Sequence, residues 1–432
     1  MNVALVFCKV DDLFAGVRAG AFSIFESNPP LGLAAIGTVA KHHGCNVKIF
    51  DQLLMNMDND ELLEQLEQFN PNIVGFSCTS LNIINSYECA SGIKDRKKCT
   101  VFAGGIHITL CAKEVLSKKI FDFLICGEGE EVFDIVLDTI KKNQNIHELQ
   151  IKGLWNKGTK TDNGVAVLST VSRSIIDREI LDIEKYKNKG ALLDETPCLS
   201  LFSSRGCPFK CKFCSKPDYF KNYRKVDLDL VFEEIHYLID KHNAKTISFR
   251  EDNFTVDLKR LELFCKRMIE EFKGELYWEC ESRADMPREM LELMYVAGCR
   301  GIWCGVETIV PKWSEWINKQ LKKEAVIKFY DDCKDIGIKT GALFMFGFPE
   351  QTDEEIEEDV EFAMSLPVEF SAFQCLALFP GSPLEEYYVA HPELKYQITE
   401  GVALALTKGK NYIDMINKER EINDRIRCSR IY

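Results

Sequence analysis

The sequence predicts an α/β protein of two successive parallel-sheet units with a short cap at the C-terminal end. Three observations carry that expectation. Residues 1–145 alternate short apolar runs with helical patterns, residues 146–195 interrupt the rhythm, and the alternation resumes from Cys198 with six strand patterns and five helices between them. A chain of 432 residues that is 46% hydrophobic and 28% charged has room for a sizeable core in each unit.

The first unit, residues 1–145, opens with VALVF and GLAAIGTVAKHHG. It continues through VKIFD and ELLEQLEQF, IVGFSC and a helix near 83–96, TVFAGG and KEVLSK, and FLIC and EEVFDIVLDTI. Strand then helix, repeated, makes a parallel sheet with crossover helices, a flavodoxin/Rossmann-like arrangement that collects ligands at the C-terminal strand ends. In 146–195, KGTKTDNG between two apolar pieces predicts a small hairpin, and the polar DREILDIEKYKNKG reads as a linker.

Strands of the second unit are expected at CLSLFSS, KTISFRE, ELYWECES, GIWCGVE, TGALFMFG and FSAFQCLALF, with helical patterns such as LDLVFEEIHYLIDKH between them. Six strands and five helices over 196–390 make a partial (β/α)6 barrel rather than a closed eightfold one. The acidic EQTDEEIEEDVEF reads as a helix start, because Thr352 with Glu355 fits a capping box and early carboxylates suit the helix dipole. Residues 391–432 remain as the short C-terminal cap.

Charge and composition exclude several classes of function. A formal net charge of −13 with no run of Lys and Arg disfavours nucleic acid as a partner. MNVALVFCKVDDLF lacks a basic leader, and no apolar stretch reaches the ~18 residues that span a bilayer, so a cytoplasmic protein without a membrane partner is expected. The eighteen cysteines are scattered through apolar strands and helices, as reduced core thiols are.

One group departs from that pattern. SSRGCPFKCKFCSK places Cys207, Cys211 and Cys214 in a loop after the first barrel strand, interleaved with Lys210 and Lys212. A cubane cluster takes one ligand per iron, so three thiolates leave one iron open. The competing zinc reading wants four closed ligands, commonly two pairs, and no second pair of matching spacing follows.

With Phe213 in its aromatic slot, this C-x3-C-x-aromatic-C motif resembles that of the radical S-adenosylmethionine (SAM) superfamily, and the resemblance extends over about 190 to 385. It implies a 4Fe-4S cluster on the three cysteines, with SAM chelated at the open iron. FREDNFT resembles the segment that contacts the SAM amino group, giving Asp252 and Asn253. ESRAD and GVET resemble polar strand ends that hold the carboxylate and ribose, giving Ser282, Arg283 and Glu307.

The first unit resembles the cobalamin-binding domain that precedes the barrel in one radical SAM subgroup. The matching pieces are PPLGLAAIG with Leu31 and Gly32, VKIFD, IVGFSCTSLN with Ser77, Thr79 and Ser80, AGGIHITL with Gly104, Gly105 and His107, and ICGEGEEVF with Gly127, Glu128 and Gly129. No Asp-x-His-x-x-Gly is present, since DQLLMN follows the second strand, so no axial histidine is expected and His107 is read as a loop or nucleotide-tail contact. GEGEE looks superficially like a nucleotide loop, but there is neither a G-x-G-x-x-G after the first strand nor a Walker lysine.

The resemblance implies a cobalamin-dependent methyltransferase acting on an unactivated carbon through a 5′-deoxyadenosyl radical. Its substrate would be a small molecule or a peptide, and its electron donor an external carrier such as flavodoxin or ferredoxin. Three alternatives stay open: ring closure or rearrangement without methyl transfer, a noncatalytic sensor, and a methylthiotransferase-like enzyme with a second cluster on Cys8, Cys45 and Cys78. Against the last, Cys45 precedes its strand, at the sheet edge opposite Cys8 and Cys78. Cys299 and Cys304, five apart around one strand, read as core packing.

Overall fold

The computed structural model describes residues 1–10, 29–159, 163–168, 176–186, 190, 192–215, 220, 222–399, 402–406 and 410–430. The chain divides into two compact units near Lys185 and Tyr186. Among the described residues no helix is long and apolar enough to cross a membrane.

The first unit runs β1 (Asn2–Phe7), α1 (Leu31–His42), β2 (Asn46–Asp51), α2 (Asn59–Phe69), β3 (Ile73–Ser77), α3 (Ile83–Arg96), β4 (Thr100–Gly104), α4 (Ile106–Leu110), α5 (Ala112–Ser117), β5 (Phe123–Ile125), α6 (Glu130–Lys141) and β6 (Leu154–Asn156). Its sheet has the order β2-β1-β3-β4-β5-β6, parallel except for β6. Val3 to Val6 are fully buried, which is why β1 reads as an unbroken apolar run: helices cover both faces of a central parallel strand.

The segment expected as a hairpin and linker between domains belongs in part to this first unit. β6 pairs antiparallel with β5, Phe123 opposite Asn156, and so takes the sheet edge. Further on, the Asp177 backbone N–H donates to Thr38 Oγ1 at 2.9 Å, its carboxylate pairs with Lys41 at 2.7 Å, and Arg178 is buried. Polarity suggested a linker, yet these polar groups satisfy α1.

The second unit carries β7 (Cys198–Leu201), β8 (Ser204–Arg205), β9 (Arg224–Lys225), α7 (Leu228–His242), β10 (Thr246–Phe249), α8 (Leu258–Phe272), β11 (Tyr277–Ser282), α9 (Arg288–Val296), β12 (Cys299–Glu307), α10 (Pro311–Trp316), α11 (Lys323–Ile336), β13 (Lys339–Phe346), α12 (Asp353–Ser365) and β14 (Phe370–Cys375). β7 and β10 to β14 form one open parallel sheet in chain order, the predicted six-stranded partial barrel. Phe249, Phe254, Phe264 and Trp278 pack edge to face or tilted, centroids 4.5–5.8 Å apart, between the sheet and α8. Leu192 and Leu193 pack with Trp303 among Tyr277 and Phe370, the first residues of β11 and β14, and so fill the N-terminal end of the barrel.

After β14 come β15 (Ala377–Leu378), α13 (Pro383–Ala390), β16 (Lys395–Thr399), β17 (Val402–Leu406) and α14 (Tyr412–Ser429), with β15 and β17 antiparallel. The part expected only as a cap therefore includes a long helix, and α14 lies along the edge strand β14. The Thr352 and Glu355 capping box is present with both of its hydrogen bonds.

Candidate functional site

The cysteine loop is built from fixed backbone. After β7, the Ser203 N–H donates to the Glu251 carboxylate and its carbonyl accepts from Arg260 at 3.0 Å. Burial holds Glu251 up to about 7 despite those hydrogen bonds. β8 and β9 then pair antiparallel and close the base of the loop. Gly206 has φ +88°, and a Cβ there would lie 2.4 Å from the carbonyl oxygens of Asn222 and Phe220, so only glycine fits. The Cys207 N–H donates to Phe220 O at 2.8 Å, Lys212 N–H to Ile317 O at 2.9 Å, and Leu384 N–H to Lys212 O at 3.0 Å.

Cys207, Cys211 and Cys214 line one cavity of about 260 Å³, and so do Phe213, Asp252, Asn253, Ser282, Arg283 and Glu307. Four stretches of a single barrel mouth thus converge, as expected where ligands meet C-terminal strand ends. Among the described residues no three His, Cys, Asp or Glu side chains gather tightly enough to hold a single metal ion. A cubane places one thiolate on each of three irons, so its ligands stand wider apart than those of one ion.

The polar wall of the cavity is internally bonded. Asn253 Oδ1 accepts from the Thr255 backbone and hydroxyl at 3.0 and 2.9 Å, and that hydroxyl lies 2.7 Å from Ser282 Oγ. Arg283, expected at the SAM carboxylate, also ties the rim together. It reaches Asp285 at 3.1 Å and Lys319 O at 3.2 Å, and its guanidinium lies 4.5 Å from the Phe209 ring centroid.

Sequence reasoning missed Lys319, Glu281, Trp303 and Gly305, which line the same cavity. Trp303, Gly305 and Glu307 follow the two-residue period of β12, a signal that could have found them. Lys319 had none, being one of several lysines in WINKQLKK. Its ammonium is 3.1 Å from Glu307 Oε1, with both side chains 11% exposed. Burial opposes that charge, but Glu307 and Cys211 nearby keep its pKa above the ordinary lysine range.

The residues proposed for cobalamin lie on the first unit. Ser77, Thr79, Ser80, Gly104, Gly105 and His107 fall at the C-terminal ends of β3 and β4, Leu31 and Gly32 begin α1, and Gly129 precedes α6. Asn82, fully buried, organises this edge: it donates to Cys8 O and Ser77 O and accepts from the Thr79 N–H at 2.7 Å. His107, expected in a glycine-rich loop, is buried in the short helix α4, with Nδ1 2.9 Å from Ser80 Oγ. Burial, aided by Lys118, lowers its pKa to about 4. Glu128 also departs from expectation, since its buried carboxylate accepts from Leu168 N–H, and Gly127 backs onto Ala166.

Comparison with known families matches these two regions separately. Residues 18–137 fit the model of the B12 binding domain, and residues 201–363 fit that of the radical SAM superfamily. The chain is a radical SAM enzyme with a B12-binding domain. An uncharacterized methyltransferase of Pyrococcus horikoshii is 29% identical to it over 84% of this chain and 79% of that relative. An anaerobic magnesium-protoporphyrin IX monomethyl ester cyclase of Cereibacter sphaeroides is 25% identical over 93% of this chain and 68% of the cyclase. In fold, the radical SAM enzyme is similar to the radical SAM methyltransferase TsrM of Kitasatospora setae, solved with cobalamin and a [4Fe-4S] cluster. The TM-score is 0.75 at 17% identity, over 99% of this chain and 88% of that one.

The cofactors of the radical SAM enzyme are therefore a 4Fe-4S cluster, SAM and cobalamin. Its residues fit them. Three half-buried thiols, the Lys319 and Arg283 cations and the Asp252 and Glu307 carboxylates surround one cavity, matching a cluster and a zwitterionic ligand. The strand ends of the first unit offer hydroxyls, glycines and an imidazole held neutral, a donor set suited to a flat macrocycle with amide arms.

Proposed function

We propose that this radical SAM enzyme is a cobalamin-dependent methyltransferase that carries a methyl group from SAM to an unactivated carbon of a small molecule or peptide. The observation that carries the reading is the joining, in one chain, of a B12-binding domain to a cavity that gathers the cysteines with a set of zwitterion partners. The methyltransferase relative, alike over most of both chains, supports methyl transfer.

When bound, the cluster supplies the electron that cleaves SAM, and cobalamin carries the methyl group. The protein holds and orients. Cys207, Cys211 and Cys214 would bind the cluster, Lys319 and Arg283 would face the SAM carboxylate, and Asp252 and Glu307 would accept from its amino and hydroxyl groups. Phe213 would stand beside the cluster, and Trp303 with Leu343 lines the cavity and would keep water out. Leu31, Gly32, Ser77, Thr79, Ser80, Gly104, Gly105, His107 and Gly129 would form the cobalamin edge, with Gly127 and Glu128 supporting it through their contacts with Ala166 and Leu168. An external flavodoxin or ferredoxin delivers the electron.

A second reading, ring closure without methyl transfer, is favoured by the cyclase relative. A second cluster on Cys8, Cys45 and Cys78 is opposed by register. Asn2 pairs with Asn46 and Phe7 with Asp51, so Cys45 and Cys8 lie at opposite ends of a six-residue ladder, roughly 20 Å apart.

Anaerobic incubation of cell extract with the reconstituted enzyme, reductant, cobalamin and methyl-deuterated SAM tests the proposal. A metabolite or peptide that gains the deuterated methyl group, together with released 5′-deoxyadenosine, is the expected result. Release of 5′-deoxyadenosine with no labelled product would point to ring closure.

A further inference from the structure

Glu307 stands in a strained backbone conformation at the cavity wall. Its φ is +71°, in the left-handed region that a non-glycine residue rarely adopts. The register between β12 and β13 slips just before it, between Gly305 and Glu307. Gly305 makes room, since a Cβ there would come within 2.2 Å of Glu307 Oε1.

The two residues that follow are tied down from another element. Asp359, on α12, is fully buried and lies outside the cavity lining. Its Oδ2 accepts from the Thr308 hydroxyl at 2.7 Å, and its Oδ1 accepts from the Ile309 backbone N–H, also at 2.7 Å. The same hydroxyl accepts from Val310 N–H at 3.1 Å, and Thr308 N–H closes back on Val306 O at 3.0 Å.

We propose that Asp359 is a positioning residue for SAM binding: by clamping Thr308 and Ile309 it keeps Glu307 in its left-handed turn, carboxylate against Lys319 and facing the cofactor. This rests on the reading above that Glu307 contacts SAM. A buried carboxylic acid is a costly way to fill core space, and burial, with Glu358 and Glu355 near, raises Asp359 to about 7. An acid is retained because both of its oxygens are in use. Either protonation state keeps the clamp, because the Thr308 hydroxyl can accept as well as donate.

The test is anaerobic titration of SAM into the cluster-loaded full chain. Asp359→Leu removes both hydrogen bonds and should weaken binding by about tenfold or more at unchanged iron content, whereas Asp359→Asn can make both again and should stay within about threefold of the parent. Thr308→Val, which removes one hydrogen bond and keeps the shape, serves if Asp359→Leu does not fold, with a loss of several-fold expected. Because the clamp acts through Glu307, adding either variant to Glu307→Gln should cost little beyond Glu307→Gln alone. Full additivity in the double variants, or parent-like affinity in both Asp359→Leu and Thr308→Val, would overturn the proposal. Parent-like affinity in Glu307→Gln would overturn instead the underlying reading that Glu307 contacts SAM.

Discussion

His107 sits in the first turn of α4, two residues past Gly105, with its ring against Ser80. Burial lowers its folded pKa to about 4 from an ordinary 6.5. The unfolded chain therefore binds the proton first as pH falls, and stability is lost between pH 6.5 and 4. Unfolding free energies from denaturant titrations across that range should show the parent losing about 3 kcal/mol more than His107→Asn, which cannot titrate. Parallel pH profiles would contradict the burial account. At this scale the cysteine spacing and the polar strand ends were legible, because each is a local pattern. Lys319 and Asp359 were not, because their roles arise from contacts between segments far apart in sequence.

The helix α14 turns an expected appendage into part of the barrel. Asn423 donates to Phe373 O and accepts from Phe373 N–H, both at 2.9 Å, and Glu419 accepts from Cys375 N–H at 2.8 Å. Four residues along a helix rise about 6 Å and two along a strand about 6.6 Å, so side chains at 419 and 423 match the outward groups at 375 and 373. Arg430 continues the match at Ser371, 2.6 Å away. An open barrel has two exposed strand edges, and this one is covered by side chains instead of another strand. Replacing Asn423 by Ala should lower stability by about 1–3 kcal/mol and promote self-association, measured by chemical denaturation and light scattering. Parent-like behaviour would show that the edge needs no cover. Strand and helix periodicity predicted the alternation well, since burial on one face writes itself into sequence. It missed the edge cover and the attachment of β6 and Asp177 to the first unit, because polar hydrogen bonding leaves no such period.

At the scale of the whole molecule, the two units divide labour by chemistry: a sheet edge of hydroxyls and glycines in one, a charged cavity with three thiols in the other. The eighteen cysteines sort in the same way. Most are buried, while Cys207, Cys211 and Cys214 are half-buried on one backbone-fixed loop. Burial keeps Cys265 and Cys333 far above the ordinary thiol range, protonated and unfit as ligands. The most direct test measures iron content and 5′-deoxyadenosine release by anaerobically reconstituted single Cys→Ala variants. The parent, Cys265→Ala and Cys333→Ala should each hold about four irons and cleave SAM, while loss of Cys207, Cys211 or Cys214 should abolish cleavage. SAM cleavage at the parent rate by Cys211→Ala would contradict the account.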